Sequence, residues 1–225
     1  MTTRPGTRLA RRPLHFILVL DCSGSMAADG KIRALNTAVR EVLPHLAHVA
    51  GENPHAELLF SALAFSTGVN WHVDPPQPID DVVWEDLTAG GYTDMGAALM
   101  SVAERVVIST MGERAMPPAI VLVSDGQPTD DFEGGLRRLL DEPFGAAAAR
   151  IAVAIGRDVD RDILVRFQGG GEPLLAHNPE QLVTSIRWAS AAVTRAASEL
   201  APPPPGAFGP VAWHSADIDM DDALW

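Results

Sequence analysis

A chain of 225 residues with 47% apolar positions can bury one sizeable core but hardly two full domains. Its 29 acidic against 17 basic side chains leave a net charge of -12, which argues against a nucleic-acid or anionic-membrane surface, because phosphate binding needs clustered Lys and Arg. The single cysteine, Cys22, excludes an intrachain disulfide and fits a reducing compartment.

Arg4, Arg8, Arg11 and Arg12 ahead of an apolar stretch imitate an export signal. That stretch is short, contains His15 and stops at Asp21, and cleavage there would remove a strand. Residues 1–13 are therefore expected to be a mobile basic arm, 14–200 the folded domain, and the protein cytoplasmic. No apolar run approaches the ~20 residues of a membrane span. Phe16 to Leu20 is continuously apolar and predicts a central parallel strand covered on both faces. It leads straight into Asp21-Cys22-Ser23-Gly24-Ser25, a short loop with one carboxylate and two hydroxyls. Taken alone, such a loop is an ordinary turn or helix cap; its oxygens are also hard ligands that suit Mg2+. Cys22 reads as buried and inert, with no basic neighbour in sequence to favour its thiolate.

Leu35, Val39, Val42 and Leu46 predict a helix from Lys31 to about His48, with Pro44 kinking or breaking it near Glu41. Glu57–Phe65 and Val69–Val73 read as strands. The short Ser66-Thr67-Gly68 link makes them an antiparallel hairpin and puts the third strand at an edge. Pro75, Pro76 and Pro78 suggest an extended connection, and Trp71 and Trp84 packing residues rather than a ligand-binding pair.

The glycine-rich run from Ala89 delivers Thr93 and Asp94 to a helix ending near Val107, with Asp94 as its N-cap. Ala119–Ser124 is a second buried strand ending at an acid, Asp125. Asp130 and Asp131 are expected to cap a helix over Phe132–Leu140. Arg150–Ile155 is a strand, Asp160–Phe167 a short helix, Leu174–Ala176 a last strand, and Pro179 opens a helix to about Leu200. Residues 201–225 comprise a stiff Pro202–Pro205 spacer and an acidic tail. There Ile218, Met220, Leu224 and Trp225 alternate with Asp residues, as in a docking motif or a solvated tail.

Alternating strands and helices imply an α/β doubly wound sheet that receives ligands at the carboxyl ends of its strands, where Asp21 and Asp125 fall. Asp21-x-Ser23-x-Ser25, a loop Thr93 and a post-strand Asp125 resemble the metal-ion-dependent adhesion site, or MIDAS, of von Willebrand factor type A (vWA) domains. That resemblance implies a Rossmann-like sheet of order 3-2-1-4-5-6 with the third strand antiparallel. It also implies that Asp21, Ser23, Ser25, Thr93 and Asp125 hold Mg2+, with Mn2+ or Ca2+ as alternatives. The ion keeps a position for an Asp or Glu from a protein partner, which is binding rather than enzymatic chemistry.

Glu52-Asn-Pro54, Trp84-Glu-Asp-Leu87 and Ser124 to Asp131 look, in addition, like TerY-type bacterial proteins of tellurium resistance, over roughly Leu14 to Ser198. This implies a stress-related circuit with a Ser/Thr kinase and a PPM-type phosphatase as partners. Tyr92 stands where many relatives have a small residue, which would alter access to Thr93. Two alternatives stay open: metal-assisted hydrolysis or phosphatase action at the same residues, and a scaffold with a lapsed metal site. Against the first, no Gly-x-Ser-x-Gly elbow or Walker loop follows a strand, and Ser23 stands where aspartyl phosphatases need a second Asp. A tail carboxylate, Asp219, Asp221 or Asp222, is also expected to reach the metal of its own or a neighbouring copy.

Overall fold

The computed structural model describes residues 11–125, 127–156, 159–178 and 180–188. Most of the expected basic arm, the part of the expected last helix beyond residue 188 and the whole 201–225 segment, with its tail acids, lie outside them. Strands β1 (Arg12–Asp21), β2 (Ala56–Ser66), β3 (Gly68–Pro78), β4 (Ala119–Ser124), β5 (Ala149–Ile155) and β6 (Leu174–Ala176) form one sheet of order β3-β2-β1-β4-β5-β6. All neighbours are parallel except β2 and β3, which pair antiparallel as the short turn requires.

β1 is central because its side chains serve both faces of the sheet, as a period of two dictates. Leu14, Phe16, Leu18 and Leu20 pack with Leu35, Val39, Val42 and Leu46 of helix α1 (Lys31–Glu52) and with Leu182 and Ile186 of a helix over 180–188. Ile17 and Val19 pack on the other side with Leu99 and Val102 of α2 (Met95–Arg105), and beyond a four-residue α3 (Ile108–Met111) with Leu136 and Leu139 of α4 (Phe132–Asp141). After α5 (Pro143–Ala147), α6 (Arg161–Gln168) adds Leu164 and Phe167 to that face. Gly96 and Gly135 let α2 and α4 touch through backbone, since a Cβ at either would stand 2.2 or 2.3 Å from a carbonyl oxygen.

Four expectations are corrected. Arg12 and Pro13 belong to β1 rather than to an arm: Arg12 N donates to the His55 carbonyl and its guanidinium to Arg114 and Ala115 carbonyls. α1 runs unbroken through Pro44, which is exposed, so the carbonyl it deprives of a donor can turn to water while Val42, Leu43 and Leu46 stay buried. The prolines after Val73 lie inside β3, where an edge strand tolerates missing donors and two register shifts absorb the misfit. Asp94 sits at the N-cap of α2 without capping it, as described below.

Candidate metal centre

Three loops at the carboxyl end of the sheet meet because backbone hydrogen bonds tie them together. The loop after β1 holds the glycine-rich segment through Gly24 N to the Gly91 carbonyl at 3.0 Å and Gly90 N to the Cys22 carbonyl at 2.8 Å. The segment before α2 in turn holds the loop after β4: Thr129 N donates to the Thr93 carbonyl, and Thr93 N to Thr129 Oγ1. Ser124 closes the circle with a 2.6 Å hydrogen bond from its hydroxyl to Asp21 Oδ2.

Inside this ring Asp21 is fully buried and Ser23, Thr93 and Asp125 nearly so, whereas Ser25 is exposed. Asp21 Oδ1 accepts from Ser23 N at 2.8 Å, which fixes the loop. Burial pushes the Asp21 carboxyl above its ordinary pKa, the bonds from Ser124 and Ser23 pull it back, and the Asp125 charge pushes it up again. Asp125 Oδ2 lies 3.3 Å from the Lys31 ammonium, while the buried Oδ1 has no hydrogen-bond partner among the described residues.

The donor set fits a hard dication. Ser23 Oγ and Ser25 Oγ share a hydrogen bond at 2.9 Å. Adjacent ligands around Mg2+, with bonds of 2.0–2.1 Å at right angles, are separated by about 2.9 Å. Asp125 Oδ1, without a partner among the described residues, is a buried carboxylate oxygen that such an ion would satisfy. Among the described residues no three of His, Cys, Asp and Glu are grouped for a metal, so an ion held here would need hydroxyls for part of its shell. Cys22 is only 5% exposed, and burial with the nearby Asp21 charge pushes its thiol up to about 12.

Sequence reasoning singled out Asp94, Asp130 and Asp131 as supporting or capping residues but missed the partners of Asp94 and Asp130. Asp94 accepts from Gly68 N at 2.7 Å, fastening the β2–β3 turn beneath Thr93. Asp130 accepts from Gly96 N and Ala97 N, both at 2.8 Å, so it caps α2 across the gap, while Asp131 caps α4 through Gly134 N. Asn36, a lone buried amide on the apolar face of α1, clamps Leu87 through both its N and its carbonyl and receives Trp84 Nε1. Its polar type in an apolar stripe is a signal legible in the sequence; the partners of Asp130 are not. Trp71 and Trp84 are no pair: Trp71 lies under Arg105 at 4.1 Å, and Trp84 meets His72 edge-on at 4.6 Å. Tyr92 is 67% exposed beside buried Thr93.

A doubly wound sheet of this order, with oxygen-rich loops gathered at the carboxyl ends of β1 and β4, defines a vWA-like class. The von Willebrand factor type A domain profile matches residues 16–184, and the chain belongs to that family. Domains of this family mediate protein interactions and can hold a divalent metal at a MIDAS. Similar solved structures include a von Willebrand factor type A protein from Catenulispora acidiphila, 17% identical with a TM-score of 0.61, covering 81% of this chain and 43% of that one. The proximal thread matrix protein 1 of the mussel byssus, with a zinc-occupied MIDAS motif, is 18% identical with a TM-score of 0.58, covering 80% and 48%. The PilB minor pilin of Streptococcus sanguinis is 15% identical with a TM-score of 0.62, covering 89% and 65%. At these identities the likeness is one of fold, and the chain spans under half the length of the first two. A search of curated proteins returned no match. Among the described residues no helix is long and apolar enough to cross a membrane.

Proposed function

We propose that this chain is a metal-dependent protein-binding adaptor. Asp21, Ser23, Ser25, Thr93 and Asp125 would hold a dication such as Mg2+, which when bound supplies an electrophilic position for a partner's Asp or Glu. The observation that carries this reading is Asp125 Oδ1, a buried carboxylate oxygen without a hydrogen-bond partner among the described residues, beside a second buried carboxylate. Burying such a group uncompensated is costly, and a cation relieves it. Zinc in the MIDAS of the mussel protein supports a dication of this kind.

We read the chain as no enzyme, because the thiol nearest the site stays protonated near neutrality, Asp21 is held by hydrogen bonds from Ser23 and Ser124, and Asp125 is assigned to the metal in this reading. The TerY-like phrases supply the remainder of the proposal: a cytoplasmic role in a bacterial stress circuit, with a kinase and a PPM-type phosphatase as candidate partners. Self-association through a tail carboxylate belongs to the same chemistry, although that tail lies outside the described residues. The test is a Mg2+ thermal-shift titration with and without EDTA, joined to capture of an acidic partner by wild type and Asp125→Ala. A Mg2+-dependent shift and capture, both lost in the variant, support the adaptor. Turnover of phosphate esters lost in the same variant favours the hydrolase instead.

A further inference from the structure

The two oxygens of Asp125 have different surroundings. Oδ2 accepts the Lys31 ammonium at 3.3 Å, and Oδ1 accepts nothing from the described residues. Lys31 reaches the site because the two residues before it, Asp29 at φ 53° and Gly30 at φ 72°, are both left-handed and turn the start of α1 back toward the loops. Its side chain is only 16% exposed and crosses Gly156, where an added Cβ would stand 2.9 Å from Lys31 Cε and 3.2 Å from Nζ. At φ 101° that position favours glycine on conformation as well, so the backbone of the β5 loop keeps open the track along which the lysine lies.

Resting on the metal-binding reading above, we propose that Lys31 is an internal cation that competes with the divalent ion for Asp125 and thereby sets the metal affinity of the site. Asp21 and Asp125 bring two negative charges together in a buried setting, and Lys31 returns one positive charge to them. A dication at Asp125 therefore meets a like charge held on the same carboxylate. Either it binds against that repulsion or the ammonium is driven from its track, and both routes cost metal affinity. The site fills and empties with the supply of free ion instead of retaining one permanently, and the two carboxylates remain compatible with folding throughout.

The test titrates the full chain with Mg2+ and with Mn2+ by calorimetry, in wild type, Lys31→Met, Lys31→Gln and Lys31→Arg, alongside melting temperatures in EDTA. The expected result is that Met and Gln each tighten metal binding by about tenfold or more, the size of one removed charge at close range. Both also lower the melting temperature in EDTA, and Arg keeps the wild-type affinity. Should Lys31→Met fail to fold, Lys31→Gln carries the comparison. Unchanged or weaker binding in the uncharged variants, with wild type binding normally, overturns the competition and leaves the metal site standing. Absence of binding in every protein, wild type included, overturns the metal site itself.

Discussion

Single residues here separate into those that hold the loop and those that would hold an ion. Both oxygens of Asp21 are hydrogen-bonded, to Ser23 N and Ser124 Oγ, so Asp21→Ala should cost about 1–3 kcal/mol of stability even in EDTA. Asp125→Asn should cost less in EDTA, because Oδ1 has no hydrogen-bond partner among the described residues and an amide oxygen can still accept from the Lys31 ammonium, yet should abolish the Mg2+-induced shift; urea unfolding with and without Mg2+ checks both. His15 gives a pH signature remote from the site. Burial, and then the Arg105 charge, lower its pKa to about 4, and its Nδ1 and the Ser61 hydroxyl of β2 have no partners among the described residues. Between pH 6.5 and 4 the unfolded chain binds a proton that the folded one refuses, so stability falls as pH drops through that window and levels off below it. Relative to His15→Phe, wild type should lose about 2 kcal/mol more between pH 7 and pH 4.5, read from urea midpoints. Asp21, Ser23, Ser25, Thr93 and Asp125 are legible in the sequence because their types, order and strand-end positions form one pattern. Lys31 and Ser124 are not, because their roles depend on distant segments coming together.

Elements show the same division between local and long-range signals. The antiparallel edge follows from one short turn, whereas the strand order comes from the vWA resemblance and not from the apolar runs themselves. Pro44 and Pro75 to Pro78 mislead because their local penalties are met by exposure and by an edge position, neither of which is visible in the residues themselves. Asp94 and Asp130 mislead in a complementary way. Each is a good local cap by type, yet Asp94 fastens the β2–β3 turn and Asp130 caps α2 from the loop before α4. Asp130→Ala should therefore cost roughly 1–2 kcal/mol, as loss of an N-cap does, and should loosen the Thr93 loop. Hydrogen exchange is expected to speed up at Gly96 and Ala97 while the amides of α4 stay protected by Asp131, whereas faster exchange confined to α4 would return Asp130 to the role its sequence position suggests.

For the whole molecule, charge and site oppose one another. A chain with a net charge of -12 is proposed to capture an acid, so long-range repulsion slows the approach of an acidic partner. Added monovalent salt should then accelerate association at low ionic strength, the reverse of what a basic adaptor would show; stopped-flow binding of an acidic peptide in Mg2+ measures it. Central to the account is that oxygens from three loops share one dication. Anomalous diffraction from crystals grown with Mn2+ tests this most directly. One peak in contact with Asp125 Oδ1 and the Ser23 and Ser25 hydroxyls, beside Asp21 and Thr93, is the predicted result; saturating Mn2+ bound elsewhere, with no peak among those residues, would contradict it.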